Sequence, residues 1–259
     1  MSESTILLEQ RGAVALVTLN RPENANVLNV AMGRQLLDTV IAIEANPAVR
    51  AVVITGAGKH FCFGGDLRGM MAQGGAVDAY LGELTSFLHT AISHLVRMDA
   101  PVIAAVNGTA AGGGIGLVSA ADLCVCGSGS KFSLAYSGVA LTPDCSSSYF
   151  LPRLIGQRRA LELILTNRLL GAEEALSWGL VNQVVADADV LAEALRLADK
   201  LAAGPKHAFG KAKRLLAASA GALETHLALE GRTIASQAAT PEGQEGIQAF
   251  LDKRKPGYC

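Results

Sequence analysis

The strongest constraint on the fold is a change of pattern along the chain. Short apolar runs of strand length alternate with helix-spaced stripes up to about residue 185, and only helix patterns follow. Strand and helix in alternation build βαβ units on a parallel sheet. Residues 5–20 alternate through Ile6, Leu8, Val14 and Leu16, which predicts an opening hairpin across Arg11-Gly12. Ala51–Thr55, Pro101–Val106 and Leu123–Cys126 read as buried strands, being apolar throughout. Asn29 is placed to cap a helix running to about Glu44, and Leu81, Leu84, Leu88, Ile92 and Leu95 form the stripe of another over residues 78–97. Further helices are expected at 145–155 and 157–166, and from Asp187 to about Leu251. The expected division is a core over 1–200 and a helical cap or assembly region over 201–259.

Composition narrows the function classes. The 259 residues carry 22 Lys and Arg against 23 Asp and Glu, for a formal net charge of −1. That balance supplies no positive field for nucleic acid. With half the residues hydrophobic, the chain has the apolar surface to fold. Only 17% are charged, which points to apolar surface covered by another subunit. No secretory leader or bilayer-length apolar run is visible, so no membrane association is expected. Five cysteines, an odd number, fit a reducing and therefore cytoplasmic compartment. Cys124 and Cys126 share a face of one strand, and no further metal ligands are spaced beside them.

Two glycine clusters each follow a strand: Phe61-Cys-Phe-Gly-Gly-Asp-Leu67 and Asn107-Gly-Thr-Ala-Ala-Gly-Gly-Gly-Ile-Gly116. Neither carries the Gly-x-Gly-x-x-Gly register or a Gly-Lys pair followed by Ser or Thr, so nucleotide binding is not indicated. Glycine also lets a main-chain N–H approach a developing oxyanion. If Gly113 opens a helix, its N–H is an unpaired first-turn donor at the positive end of the dipole, and Gly65 could supply a second. The same glycines would also serve tight turns and helix–sheet packing.

These segments resemble the enoyl-CoA hydratase/isomerase (crotonase) superfamily. Val52–Leu67 is similar to its first signature and Pro101–Gly114 to its second. Leu19-Asn-Arg-Pro22, Gly171–Ala175, Trp178-Gly-Leu-Val181 and the stretch from Phe250 to Pro256 match further family segments. The resemblance implies an α/β spiral of ββα units, a C-terminal helical trimerisation region and a homotrimer or hexamer. It also implies a coenzyme A thioester as substrate, with the N–H groups of Gly65 and Gly113 on its carbonyl. No separate cofactor is implied, since coenzyme A enters as part of the substrate.

The family's two hydratase glutamates fall at positions occupied here by Gly116 and Tyr136. A standard two-glutamate hydratase is therefore not expected. Asp144 lies where related ring-epoxide isomerases, dienoyl-CoA isomerases and 4-chlorobenzoyl-CoA dehalogenases place a functional aspartate. It would act as a proton shuttle or, over an aromatic ring, as a nucleophile. Its bland alternative is an N-cap for the helix beginning near Cys145. His89 sits beside an apolar helical stripe, where the dehalogenases carry a general base. That subgroup, however, lines its ring pocket with tryptophans where this chain has Leu88 and Tyr136. Tyr136 would donate to the substrate or wall the acyl pocket. Phe63, Gly64 and Leu67 are expected to border the thioester. Asp66 is expected to cap the next helix, and Lys59, Arg68 and Lys253 to meet the coenzyme A phosphates. The reading is an enoyl-CoA isomerase. The alternatives are an aroyl-CoA dehalogenase, a hydratase with an altered site, or an acyl-CoA-binding protein without catalysis.

Overall fold

The structure is a computed structural model that describes residues 4–219 and 223–258. Strands β1 (Ile6–Arg11) and β2 (Val14–Leu19) form the opening hairpin, turning at Gly12 with φ +59°. Helix α1 (Val30–Ala45) follows, and the Asn29 side chain accepts a hydrogen bond from Met32 N at its start. Such a cap is worth about 1 kcal/mol. The chain then runs through β3 (Ala51–Gly56), α2 (Leu67–Met71), α3 (Val77–Arg97), β4 (Val102–Val106) and β5 (Thr109–Ala111). Next come α4 (Gly113–Ala120), β6 (Leu123–Gly127), β7 (Lys131–Ser133), α5 (Ser147–Ile155) and α6 (Gln157–Thr166). β8 (Leu170–Gly171), α7 (Ala172–Trp178) and β9 (Gln183–Val185) precede four helices: α8 (Val190–Ala202), α9 (Lys206–Ala217), α10 (Leu223–Ala238) and α11 (Pro241–Leu251).

The main sheet has the order β1-β2-β3-β4-β6-β9, parallel from β2 onward, and β5, β7 and β8 make a smaller second sheet. Every residue of β3 and β4 is buried, because helices cover both faces. Side chains alternate between those faces. Val52 and Ile54 join Met32, Leu36, Leu84 and Leu88 on one side. Ala51 and Val53 pack with Ile103, Val125, Val190 and Ala194 on the other. This is the expected α/β architecture.

The glycine-rich segment after β4 resolves into a short strand and a helix. Gly112 takes φ +50°, a turn that separates β5 from α4. Helix α5 begins at Ser147 rather than Cys145, since Cys145 and Ser146 both adopt left-handed backbone, with φ +50° and +66°. Polar side chains tie the first of the C-terminal helices to the core. Lys213 Nζ donates to the carbonyls of Leu95 and Ala100 and pairs with Asp122 at 2.6 Å. Arg214 meets Asp99 at 2.7 Å, and Arg50 donates to the carbonyls of Ala202 and Gly204.

Candidate active site

The two glycine loops are brought side by side by main-chain pairing. Cys62 and Ala110 form a parallel bridge, and Ala111 N donates to Cys62 O. Three residues beyond the bridge on each segment lie Gly65 and Gly113, and both line one cavity. A methyl group on Gly64 would stand 3.1 Å from Gly113 N and 2.9 Å from Ala111 O, and Gly64 has φ +82°. Only glycine fits there without moving backbone. Gly113 is the first residue of α4, so its N–H belongs to the unpaired first turn, where the helix dipole is positive. Among the described residues, neither Gly65 N–H nor Gly113 N–H donates to a protein acceptor.

The loop carrying Gly65 is held by groups that the sequence reading passed over. Asn26 is fully buried. Its Nδ2 donates to the carbonyls of Ala57 and His60, and its Oδ1 accepts from Arg21 N. Arg21 donates to Val27 O and pairs with Asp66 at 3.2 Å. Asp66 accepts from Gly69 N and so caps α2, as expected, while its own N–H donates to Leu28 O. The Asn-Arg-Pro stretch was legible only as a family match, with no signal assigning these contacts.

Behind the glycines lies a cavity of about 300 Å³. Leu28, Leu81, Leu84, Leu88, Met70 and Leu141 make its wall largely aliphatic. The cavity gathers Phe63, Gly65, Leu67, Gly113, Tyr136 and Asp144 from the sequence-predicted set. Asp144 is the one acidic residue among the described residues that line it. His89 stands just outside that wall, with Nε2 2.6 Å from Asp144 Oδ1. Gly64, Asp66, Lys59, Arg68 and Lys253 are also outside it. Lys59, Arg68 and Lys253 are exposed.

Asp144 does not cap α5, contrary to the simpler expectation. The left-handed turns at Cys145 and Ser146 intervene, and the carboxylate goes to His89 instead. Its carbonyl accepts from the N–H and hydroxyl of Ser147. The Cys145 thiol lies 3.7 Å from Asp144 Oδ2, a contact that no sequence signal announced. Burial pushes that thiol well above its ordinary pKa, and the neighbouring Asp144 adds to the effect. Burial likewise raises the Tyr136 phenol, with Cys145 and Asp144 contributing, so it stays protonated as a donor.

The position matching one hydratase glutamate is closed. A Cβ on Gly116 would lie 2.0 Å from the main-chain oxygen of Cys145. The left-handed 145–146 turn occupies the space where a side chain would start.

The cysteines expected to be buried in β6 are so, and Cys62, Cys124, Cys126 and Cys145 are free. Burial raises Cys126 to about 12, assisted by Glu173 and Asp187. Among the described residues, no group of His, Cys, Asp and Glu is arranged to hold a metal ion. None of the described helices is long and apolar enough to cross a membrane.

Gly65 and Gly113, each with an N–H free of protein acceptors among the described residues, border an apolar chamber on this α/β fold, and together they make the candidate site. The chain belongs to the enoyl-CoA hydratase/isomerase family, whose pattern it matches over residues 9–259, and is an acyl-CoA-processing enzyme of that family. It is 34% identical over 254 residues to 4-chlorobenzoyl coenzyme A dehalogenase-2 of Arthrobacter sp, covering 97% of this chain and 92% of that one. It is 36% identical to the 1,2-epoxyphenylacetyl-CoA isomerase of Escherichia coli K12, covering 98% and 97%. A Rhodobacter capsulatus protein named "Probable enoyl-CoA hydratase" is 38% identical, covering 100% and 99%. The crystal structure of an enoyl-CoA hydratase from Polaromonas sp. JS666 superposes with a TM-score of 0.93 at 36% identity, covering 98% and 99%.

Proposed function

We propose that the protein is an enoyl-CoA isomerase in which Asp144 carries a proton between the α and γ carbons of an acyl-CoA. The observation that carries this reading is the single carboxylate, among the described residues, in a largely apolar chamber that Gly65 and Gly113 also line. The carboxylate removes the α proton: the C–H bond breaks, an O–H bond forms, and charge moves to the thioester oxygen. Two main-chain donors stabilise that oxyanion, each worth about 3–4 kcal/mol in a measured case. Return of the proton at the γ carbon gives the conjugated product. Tyr136 walls the chamber and holds its hydrogen as a donor. Gly116 and Tyr136 supply no second acid or base, which disfavours two-carboxylate hydration. Lys59, Arg68 and Lys253 are assigned to the coenzyme A phosphates. No cofactor is needed beyond the coenzyme A that the substrate brings.

A second reading is favoured by one contact, the 2.6 Å approach of His89 to Asp144. On an aroyl-CoA with a ring halide, Asp144 would attack the ring carbon and expel halide. His89 would then activate water against the resulting ester. Leu88 and Tyr136 replace the tryptophans of that subgroup, which places this reading second. A panel of 3-enoyl-, dienoyl- and 4-chlorobenzoyl-CoA, followed by mass spectrometry and a chloride electrode, separates the two. Isomerised enoyl-CoA supports the first reading; chloride release with an Asp144 adduct replaces it with the second.

The exposed apolar side chains of the C-terminal helices support a homotrimer or hexamer, and four buried free thiols support a cytoplasmic setting.

A further inference from the structure

A second, larger cavity of about 720 Å³ lies on the far side of Asp144. It shares only Pro143 and Asp144 with the acyl chamber, and His89 lines it without lining that chamber. Its character is different. Ser93, Ser146 and Ser148 present hydroxyls, Arg97 and Arg214 are its two cationic residues, and Val96 is among its apolar ones. A cavity of that size with those polar groups has room for several waters, whereas the acyl chamber is lined mainly by apolar side chains. The His89 side chain is 52% exposed and that of Asp144 32%, so the pair stands at a boundary between wet and dry space.

We infer that His89 is a proton relay, joining Asp144 to water in the outer cavity, so that the proton delivered to the substrate comes from solvent. The inference rests on the isomerase reading. In the resting pair Nε2–H of His89 donates to the ionised carboxylate. After abstraction the neutral ring gives that hydrogen to water in the outer cavity and takes one at Nδ1, and the carboxyl group of Asp144 passes its hydrogen to the bared Nε2. The O–H bond breaks, an N–H bond forms, and the pair becomes carboxylate and imidazolium. Imidazole takes up and releases protons readily near neutral pH. The ring hydrogens exchange with water in the outer cavity. One then returns through Asp144 to the γ carbon, and both groups end with the charges they began with. His89 thus acts through Asp144, not by touching the substrate.

The test is trans-3-hexenoyl-CoA turned over in D₂O, with deuterium at the γ carbon of the 2-enoyl product measured by mass spectrometry and NMR. Wild type is expected to give product labelled at that carbon. His89→Gln is expected to lower the label at least fivefold, whatever its rate, because the abstracted proton is then handed straight across. A purely structural role for His89 would change rate without changing label. If His89→Gln gives no product, Ser93→Phe, which puts an aromatic ring into the outer cavity one helical turn from His89, decides by the same measurement, with a lower label expected. Unlabelled product from wild type, or equal label in the variant that turns over, overturns the relay. Absence of any isomerised product from wild type overturns the isomerase reading and the relay with it.

Discussion

At the scale of single residues, the site depends on places where a side chain is excluded. Gly116 is the sharpest case. Glu at this position would start 2.0 Å from the Cys145 carbonyl, an overlap with backbone that no rotamer relieves. Gly116→Glu is therefore expected to lose about 3 kcal/mol of stability in denaturant unfolding and to gain no crotonyl-CoA hydration. A stable, hydrating variant would show that the 145–146 turn yields easily. Gly64→Ala combines φ +82° with an approach of 2.9 Å to Ala111 O. It is expected to lower kcat on an isomerised substrate by about 10²-fold or more by displacing the Gly65 amide. Wild-type kcat would contradict that.

At the scale of elements, the sequence was legible wherever local pattern and burial agree. The parallel strands were readable because both faces are covered and each run is apolar throughout. Asn29 was readable as a cap because its side chain satisfies a local donor. Gly113 at the opening of α4, posed from the sequence only as a condition, and Asp66 as the cap of the helix after it are both found in the structure. What spacing could not give was a contact between distant segments. His89 and Asp144 are 55 positions apart and meet because two residues between Asp144 and α5 turn left-handed. Neither Cys nor Ser is a residue type that advertises such a turn. The second cavity is likewise made jointly by α3, α5 and α9, so no single segment carries its signature.

Burial raises the pKa of Asp122 and lowers that of Lys213, while each counteracts the other. Lys213→Met leaves Asp122 without its cation and should cost about 3–5 kcal/mol in unfolding experiments. Pairing it with Asp122→Asn should recover most of that loss. A single variant as stable as wild type would show that the ion pair does not hold α9 to the core.

At the scale of the whole molecule, the last three helices carry several large exposed apolar side chains. Leu216, Ile234, Phe250 and Leu251 are 76%, 71%, 82% and 67% exposed. Burying large side chains of this kind is worth about 1.5–3 kcal/mol each. Sedimentation is expected to show a trimer or hexamer, and Phe250→Asp with Ile234→Asp is expected to shift it toward monomer. A monomeric wild type at micromolar concentration would contradict this.

The central claim is that one carboxylate, held over the carbons next to a thioester anchored by two amides, performs the chemistry. Asp144→Ala measures it most directly, assayed on the thioester that wild type isomerises, with binding of that thioester followed by calorimetry. The account predicts at least a 10³-fold fall in kcat with acyl-CoA affinity kept within a few-fold. Turnover near the wild-type rate would contradict it.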